Sequence, residues 1–495
     1  MTTVGTKYET VVGLEVHSQL LTRSKMFCSC PVPPSDAQPN SYVCPVCLGM
    51  PGVLPVINEQ AVEFTIMTGL ALNCEIPELS KFDRKNYHYP DLMKGYQISQ
   101  YDQPLTQNGW VEIELDGAVK RVGVTRVHLE EDTARSQHYG SGADGYSLID
   151  VNRSGVPLME IVSEPDMRSP EEARAYLVKL RQILRFLGTS NANMEEGNFR
   201  CDANVSLRPA GSTEYGAKVE VKNMNSFRAV YRALQFEIAR QTKALDAGER
   251  IPQETRGWVE SDGTTVSQRS KEFAHDYRYF PEPDLPPIRV TQAQVVALRA
   301  RLPELPEALA HRLQQEYGLS DHEAGLLTDS RQRADYFQRT VAAAPAADPR
   351  RRAKLVANWM LGELARLEHA AGLDIGDYRV TPQHLSALID LVESNAITVA
   401  GAKQALERMF ETGEEPAAVI EALNLGTIRG TDELAAVADQ VLAANPKPLA
   451  DYEAGKTEAL QFLVGQFMRE TRGRANPGQA RELLLNSINR SMANR

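Results

Sequence analysis

The sequence predicts an α+β fold: an N-terminal domain built on antiparallel sheet with packed helices, then an all-α domain and a small α-helical tail. Two patterns predict it. Phe199, Cys201, Ala203, Val205 and Leu207 alternate strictly with Arg200, Asp202, Asn204, Ser206 and Arg208, as in an antiparallel strand with one buried and one wet face. Beyond Ile288 strand patterns disappear and apolar residues recur at helical spacing. At 495 residues the chain exceeds one core and divides into two to four domains, drawn at 1–291, 292–413 and 414–495.

The bulk composition, 42% hydrophobic and 24% charged, is that of an ordinary globular protein. No apolar run reaches the length of a membrane span and the N-terminus lacks a signal pattern, so a cytoplasmic location without membrane contact is expected. The net charge of −11 argues against nucleic-acid affinity built on overall charge. Basic residues do cluster at the end: from Arg469 to Arg495 six arginines stand against two glutamates, a local charge of +4.

Along the first domain, Val11 to Leu20 alternate and set Glu15 and His17 side by side on one strand face. Cys28-Ser-Cys30 and Cys44-Pro-Val-Cys47 follow, two close pairs joined by a proline-containing loop. That is the form of a four-thiolate structural zinc site, and Cys44 makes ligation a better account of Cys47 than a lone nucleophile. Between Lys81 and Tyr101 the run Phe82-Asp-Arg-Lys-Asn-Tyr-His-Tyr-Pro-Asp reads as a loop without periodicity. Arg84 and Lys85 supply charge there and the tyrosines supply rigid contact area, as in a binding loop or a packed surface loop. Alternation returns at Arg126, His128 and Glu130. Gly140 to Gly145 matches G-x-G-x-x-G but precedes a strand pattern instead of a helix, so it reads as a hairpin tip.

The stretch from Ile149 to Ile161 carries Asp150, Asn152, Arg153 and Glu160 around the bend imposed by Gly155 and Pro157. Ser169-Pro-Glu-Glu172 predicts a capping box opening a helix that Gly188 ends. A strand with Lys218, Glu220 and Lys222 on one face, a helix from about Ser226 to Ala247, and a hairpin turning at Asp262-Gly263 complete the domain. Gly465 to Pro477, basic and lying between two helices, is either a phosphate-holding turn or a solvated helix end.

One sheet face thus collects Glu15, His17, Glu130, Asp150 or Glu160, Asp202, Asn204, Glu220 and Lys222. So many acids on one face require a hard cation among them, and magnesium with a phosphate ligand is the natural candidate. There is no G-x-x-x-x-G-K-[ST] loop and no protein-kinase signature. Any use of ATP is therefore on an open sheet.

Gly13-Leu-Glu-Val-His17, the two cysteine pairs, Phe82-Asp-Arg-Lys-Asn-Tyr87, Asp150-Val-Asn-Arg-Ser-Gly-Val-Pro-Leu-Met-Glu160, Asp276-Tyr-Arg-Tyr-Phe280 and the tail ending in Ala475-Asn-Pro477 together resemble the B subunits of aspartyl/glutamyl-tRNA amidotransferases, nearly end to end. The resemblance implies a cradle-shaped catalytic domain, a helical domain and a tRNA-binding tail. It implies an ATP-dependent carbon–nitrogen ligase with glutamine as amido donor, converting Glu-tRNA(Gln), Asp-tRNA(Asn) or both to the amide. It places Glu15, His17, Glu130 and Glu160 around magnesium as the catalytic set, and zinc on Cys28, Cys30, Cys44 and Cys47. Arg84, Lys85, Asn152, Arg153, Asp202 and Lys222 become ATP or substrate contacts. The implied partners are the amidase of the same heterotrimer, which delivers ammonia, its small third subunit, tRNA(Gln) or tRNA(Asn), and the cognate non-discriminating aminoacyl-tRNA synthetase. A zinc-bearing RNA-binding protein would explain the cysteines and tail but not the acidic face; an amidoligase of free acids would explain the face but not the tail.

Overall fold

The strand read at 199–208 extends from Phe199 to Pro209 and lies inside an eight-stranded sheet. The computed structural model describes residues 7–140, 144–270, 277–344, 347–373, 375–428 and 430–493. Asp276, Arg495 and part of the 140–145 tip lie outside them. The chain forms two units, Met1–Pro306 and Glu307–Arg495.

In chain order the first unit contains β1 (Tyr8–Gln19), α1 (Glu59–Ala71), β2 (Leu79–Ser80), β3 (Asp83–Asn86), β4 (Tyr96–Ser99), β5 (Thr106–Leu115), β6 (Ala118–Glu131), β7 (Arg135–Tyr139) and β8 (Tyr146–Asp150). It continues with β9 (Pro157–Ser163), α2 (Pro170–Leu187), β10 (Phe199–Pro209), β11 (Val219–Met224), α3 (Phe227–Asp246), β12 (Glu254–Val259), β13 (Thr264–Ser270), β14 (Phe280–Pro281), β15 (Ile288–Arg289) and α4 (Gln292–Ala300). The large sheet has the order β13-β12-β11-β10-β1-β9-β6-β5. Its pairs are antiparallel except β11 with β12. Those two run parallel because α3 crosses between them, the connection a parallel pair requires.

Alternation gives the sheet two faces. Leu14, Val16, Val127, Leu129, Ile161, Cys201, Ala203 and Val205 pack with Tyr176, Leu180 and Leu184 of α2 and Val230 and Leu234 of α3 in one core. Ser169 caps α2 by accepting from Glu172 N. The second half of the expected box is displaced by one residue, since the Glu172 carboxylate accepts from Arg168 N at 2.7 Å. The stretch read as a loop between Lys81 and Tyr101 contains β3 and β4, joined by β14 from far along the chain. Both are too short for alternation to reveal. Val295 and Leu298 of α4 belong to the sheet domain's core, so the unit runs to Pro306 and not to the expected boundary at 291.

The second unit is helical in all its described regular structure: α5 (Pro306–Tyr317), α6 (Asp321–Leu327), α7 (Arg331–Ala342), α8 (Pro349–Trp359), a π-helical turn at Met360–Leu364, α9 (Ala365–Ala371), α10 (Pro382–Glu393), α11 (Val399–Thr412), α12 (Pro416–Ala422), α13 (Thr431–Ala444), α14 (Pro446–Glu453), α15 (Glu458–Glu470) and α16 (Pro477–Ala493). Arg352, in the basic run of α8, is buried, bonding Asp390 at 2.6 Å and Ser386. The last four helices close a core of their own around Leu434, Leu463, Phe467, Leu484 and Ile488. α12 packs instead on α10 and α11, which places the break in packing beyond the expected residue 414. No described helix is long and apolar enough to cross a membrane.

Candidate active site

Strand register assembles the site. On the sheet face away from the helices, Arg200 of β10 lies opposite His17 of β1, His17 opposite Glu160 of β9, and Glu160 opposite His128 of β6. One row along stand Asp202, Glu15, Val162 and Arg126; on the other side Gln19 and Glu130 flank Leu158. Cross-strand partners lie about 5 Å apart, so residues distant in sequence meet in one cleft of about 720 Å³.

His17 Nε2 is 3.5 Å from both Glu160 Oε2 and Glu130 Oε1, and His128 Nε2 is 3.2 Å from Glu160 Oε2. Ser99 donates to Glu130 Oε2 at 3.3 Å. One ligand atom each from His17, Glu130 and Glu160 lies within 4.8 Å of the others, a set able to hold a small cation. Burial pulls the His17 imidazole down, but Glu160 and Glu130 outweigh it and raise it to about 9. Burial likewise opposes ionisation of Glu160, and the two imidazoles hold its carboxyl well below the usual range. The Lys85 ammonium lies 5.2 Å from the Tyr277 ring centroid and 5.9 Å from that of Tyr87. Its pKa is raised against burial by Glu130, Tyr279 and Glu160. Lys222 bonds Asp202 at 2.5 Å in the same cleft. Among the described residues Arg126 Nε, His128 Nδ1 and Asn204 Oδ1 are buried without a hydrogen-bond partner, which in a native fold marks groups awaiting a ligand or water.

Glu15 lines the same cleft one row from His17, its Oε1 accepting from Asn204 Nδ2 at 2.7 Å. Three sequence expectations are corrected. Arg84 is turned from the cleft: adjacent strand residues face opposite ways, so Lys85 enters it while Arg84 forms a fork on the fully buried Glu282 at 2.6 and 2.8 Å. Its guanidinium also stacks over Tyr96 at 4.3 Å. Asn152 and Arg153 fall in a 3₁₀ turn, Val151–Arg153, where alternation lapses and side chains leave the sheet face. Asn152 accepts from Tyr42 N at 2.8 Å and donates to Gln38 O at 2.7 Å; Arg153 donates to the carbonyls of Thr133 and Ala134, both at 3.0 Å. Asp150 caps that turn and accepts from Asn40 N at 3.0 Å.

The turn's business is therefore to dock the cysteine loop. Gly155 takes φ +83°, a conformation suited to glycine, and its carbonyl accepts from Met26 N. Ser154 Oγ donates to Cys47 O at 3.3 Å. The Sγ atoms of Cys28, Cys30, Cys44 and Cys47 all lie within 4.8 Å of one another, and none is in a disulfide. A hydrogen bond from the Cys28 thiol, aided by Cys44 N–H and the Lys25 cation, lowers Cys47 to about 4. Lys25 is fully buried and donates to Tyr42 O at 2.9 Å. Such a thiolate quartet fits tetrahedral zinc.

His128, Arg126, Arg200 and Asp132 were not read as site residues. The first two share the β6 face with Glu130, so alternation was the available signal. Asp132, buried and held low against desolvation by Arg200 and Arg153, accepts from Arg200 at 3.0 Å and Gln19 at 2.7 Å. It positions Arg200 beside His17.

These assignments separate two adjacent substitutions. Arg84→Met should lower stability by about 3 kcal/mol, because it strands a buried carboxylate, and denaturant unfolding will measure it. Lys85→Met should leave the unfolding midpoint close to wild type and cut turnover about 100-fold.

A family model described as the GatB/GatE catalytic domain matches residues 10–296, and one described as the GatB domain matches residues 335–488. The B subunit of the aspartyl/glutamyl-tRNA(Asn/Gln) amidotransferase of Dehalococcoides mccartyi is 57% identical over 489 residues, covering 98% of this chain and 99% of that protein. The proteins of the same name from Thermomicrobium roseum and Carboxydothermus hydrogenoformans are 55% and 52% identical, each across 97% of this chain and 98% and 99% of their own lengths. With both of its units matched and its relatives aligned along nearly their whole lengths, the chain belongs to the GatB family, the B subunits of aspartyl/glutamyl-tRNA(Asn/Gln) amidotransferases.

Proposed function

We propose that this chain activates the side-chain carboxylate of Glu-tRNA(Gln), Asp-tRNA(Asn) or both with ATP, for amidation by ammonia from a partner amidase. The observation that carries the reading is the row His17–Glu160–His128 with Glu130 beside it, in a cleft walled by Lys85, Lys222 and Arg126. A carboxylate offers ammonia no usable leaving group. Transfer of the terminal phosphoryl of ATP to a carboxylate oxygen makes an acyl phosphate and ADP. The ammonia lone pair then forms the C–N bond, the C–O bond to phosphate breaks, and a proton is released.

Phosphoryl transfer needs alignment and charge neutralisation more than covalent help. Glu130 and Glu160, the oxygen donors it favours, would hold magnesium, and His17 would join them by giving up the proton that the two carboxylates hold on it when no ion is bound. When bound, the ion neutralises charge on the phosphoryl oxygens. Arg126, whose Nε has no partner among the described residues, and Lys85 would face the transferring group. Asp202 orients Lys222, and Asp132 fixes Arg200. Cys28, Cys30, Cys44 and Cys47 would hold a structural zinc.

The chain carries no Gly-Gly-Ser-Ser amidase signature, so ammonia would come from the partner amidase, and the small third subunit would complete the heterotrimer. The tail would bind tRNA. Arg469, Arg472 and Arg481 surround the α15–α16 turn and have no ion pair among the described residues, whereas Arg474 is used internally, donating to Gly426 O at 2.9 Å. A tail deletion must respect the last core, which begins at α13, so residues 430–495 are removed together. That variant should lose tRNA affinity about tenfold and keep ATP hydrolysis within about twofold. The direct test supplies the heterotrimer of this chain, the amidase and the small subunit with ATP, magnesium, glutamine and each misacylated tRNA. Amide formed on tRNA supports the reading; tRNA binding without ATP-dependent product overturns it.

A further inference from the structure

Activating an acid poses a problem that this cleft sharpens. Glu15, Glu130, Glu160, Asp202 and Glu220 line it, and a substrate carboxylate brought among them is repelled unless a cation with free donors receives it. Lys222 is shared between Asp202 at 2.5 Å and Glu220 at 3.4 Å, Lys85 stands among tyrosine rings, and Lys218 is exposed. Arg200 differs from all three in being rigidly anchored and largely unspent.

The anchor is Asp132, buried at the end of the same cleft. Its Oδ1 accepts from Arg200 Nη2 at 3.0 Å and from Thr133 N at 2.9 Å, and its Oδ2 accepts from Gln19 Nε2 at 2.7 Å. Its backbone is tied to the turn before β9: Asp132 N donates to Val156 O at 2.8 Å, and its carbonyl accepts from Gly155 N at 2.9 Å. A carboxylate fixed at so many points fixes one nitrogen of Arg200 in turn. That bond is the guanidinium's one hydrogen bond among the described residues. The Arg200 side chain is 37% exposed and lines the cleft, and register sets it opposite His17. A guanidinium is a planar fork of N–H donors; pinned at one nitrogen, it keeps the rest of the fork free beside the His17–Glu130–Glu160 set.

We propose that Arg200 receives the side-chain carboxylate of the substrate and is the group by which the site tells acid from amide. The inference rests on the reading of the cleft as a phosphoryl-transfer site. A carboxylate offers two acceptor oxygens in the geometry of the fork. The amide product turns an NH2 group toward the same N–H groups, donor against donor, so binding weakens once the reaction is complete. Held in the plane of the fork, each carboxylate oxygen keeps a second lone pair. One oxygen uses it to bond the terminal phosphorus as the bridging P–O bond breaks and its electron pair leaves with ADP. Pairing with Asp132 leaves Arg200 little net charge for a polyanionic triphosphate, and the free N–H groups suit a singly charged carboxylate better.

The test uses the heterotrimer and the tRNA that it amidates, charged either with the acid or with its amide, with magnesium present and with ATP and glutamine omitted so that neither is converted. Because the tRNA is the same, its own contribution cancels in the ratio of the two affinities. The wild-type complex should prefer the acid about tenfold. Arg200→Gln should bind the two equally, and its affinity for magnesium-ATP should stay within about twofold of wild type. Arg200→Lys keeps a charge on buried Asp132 but lacks the fork, and should retain at most about a third of the preference. The full preference retained in Arg200→Lys overturns the proposal. Weakened magnesium-ATP binding with the preference intact assigns Arg200 to the nucleotide phosphates and also overturns it. A wild-type complex that forms amide but binds acid and amide equally overturns this inference alone; one that forms no amide with ATP and glutamine restored overturns the phosphoryl-transfer reading with it.

Discussion

Glu160→Gln is expected to reduce ATP-dependent amide formation by about 10³-fold or more while tRNA affinity stays near wild type. The substitution keeps size and removes charge at the point where two imidazoles and a neighbouring carboxylate converge. A preorganised charge in a dry site is worth several kcal/mol to a transition state, and here the same carboxylate is a proposed magnesium ligand. Glu160 lies in the middle of the sheet, in the unit that does not contain the basic tail. Turnover and tRNA affinity should therefore separate cleanly. Single-turnover assays of the complex with ATP and misacylated tRNA, alongside filter binding, measure both. A parallel collapse of tRNA binding would contradict the assignment, and so would undiminished turnover.

The second large effect is on the cysteine cluster. The chain should contain one zinc per molecule, and Cys47→Ser should lose it together with several kcal/mol of stability, on the order of 5. Cys47 is buried, its Sγ accepts from Cys44 N at 3.1 Å, and its carbonyl is held by Ser154. The loop's other anchors, Asn152 and Asp150, precede β9 by a few residues, so turnover should fall as well. Cys74→Ser is the control. That thiol is buried outside the quartet, and its variant should keep the metal. Metal analysis and thermal unfolding report the outcome; a Cys47→Ser chain with full zinc content would refute the assignment.

How far the sequence was legible follows from periodicity. Where residues alternate over a long strand, as in β1 and β10, both the element and the face were readable, and Glu15, His17, Asp202 and Asn204 were placed correctly on the wet side. The partner of Arg84 was not readable, because Glu282 lies 198 residues away, just past a two-residue strand without pattern. Asn152 and Arg153 have the residue types of a site, but a 3₁₀ turn breaks the alternation that would have aimed them into it. His128 was seen on the right face and given no role, since nothing in one strand's sequence says that its neighbour across the sheet is Glu160. Periodicity fixes faces; it does not fix register, and register made this site.

That register ties activity to completed assembly. His17, Glu160 and Glu130 arrive on β1, β9 and β6, with β9 between the other two. A slip of one residue in β9 would send Glu160 among the helices and bring Met159 or Ile161 to the cleft. A nascent chain that has not yet emerged past residue 163 holds two outer strands with nothing to join them, so the His17–Glu130–Glu160 set is incomplete in it. The three-residue set thus exists only where β1, β9 and β6 have paired in register.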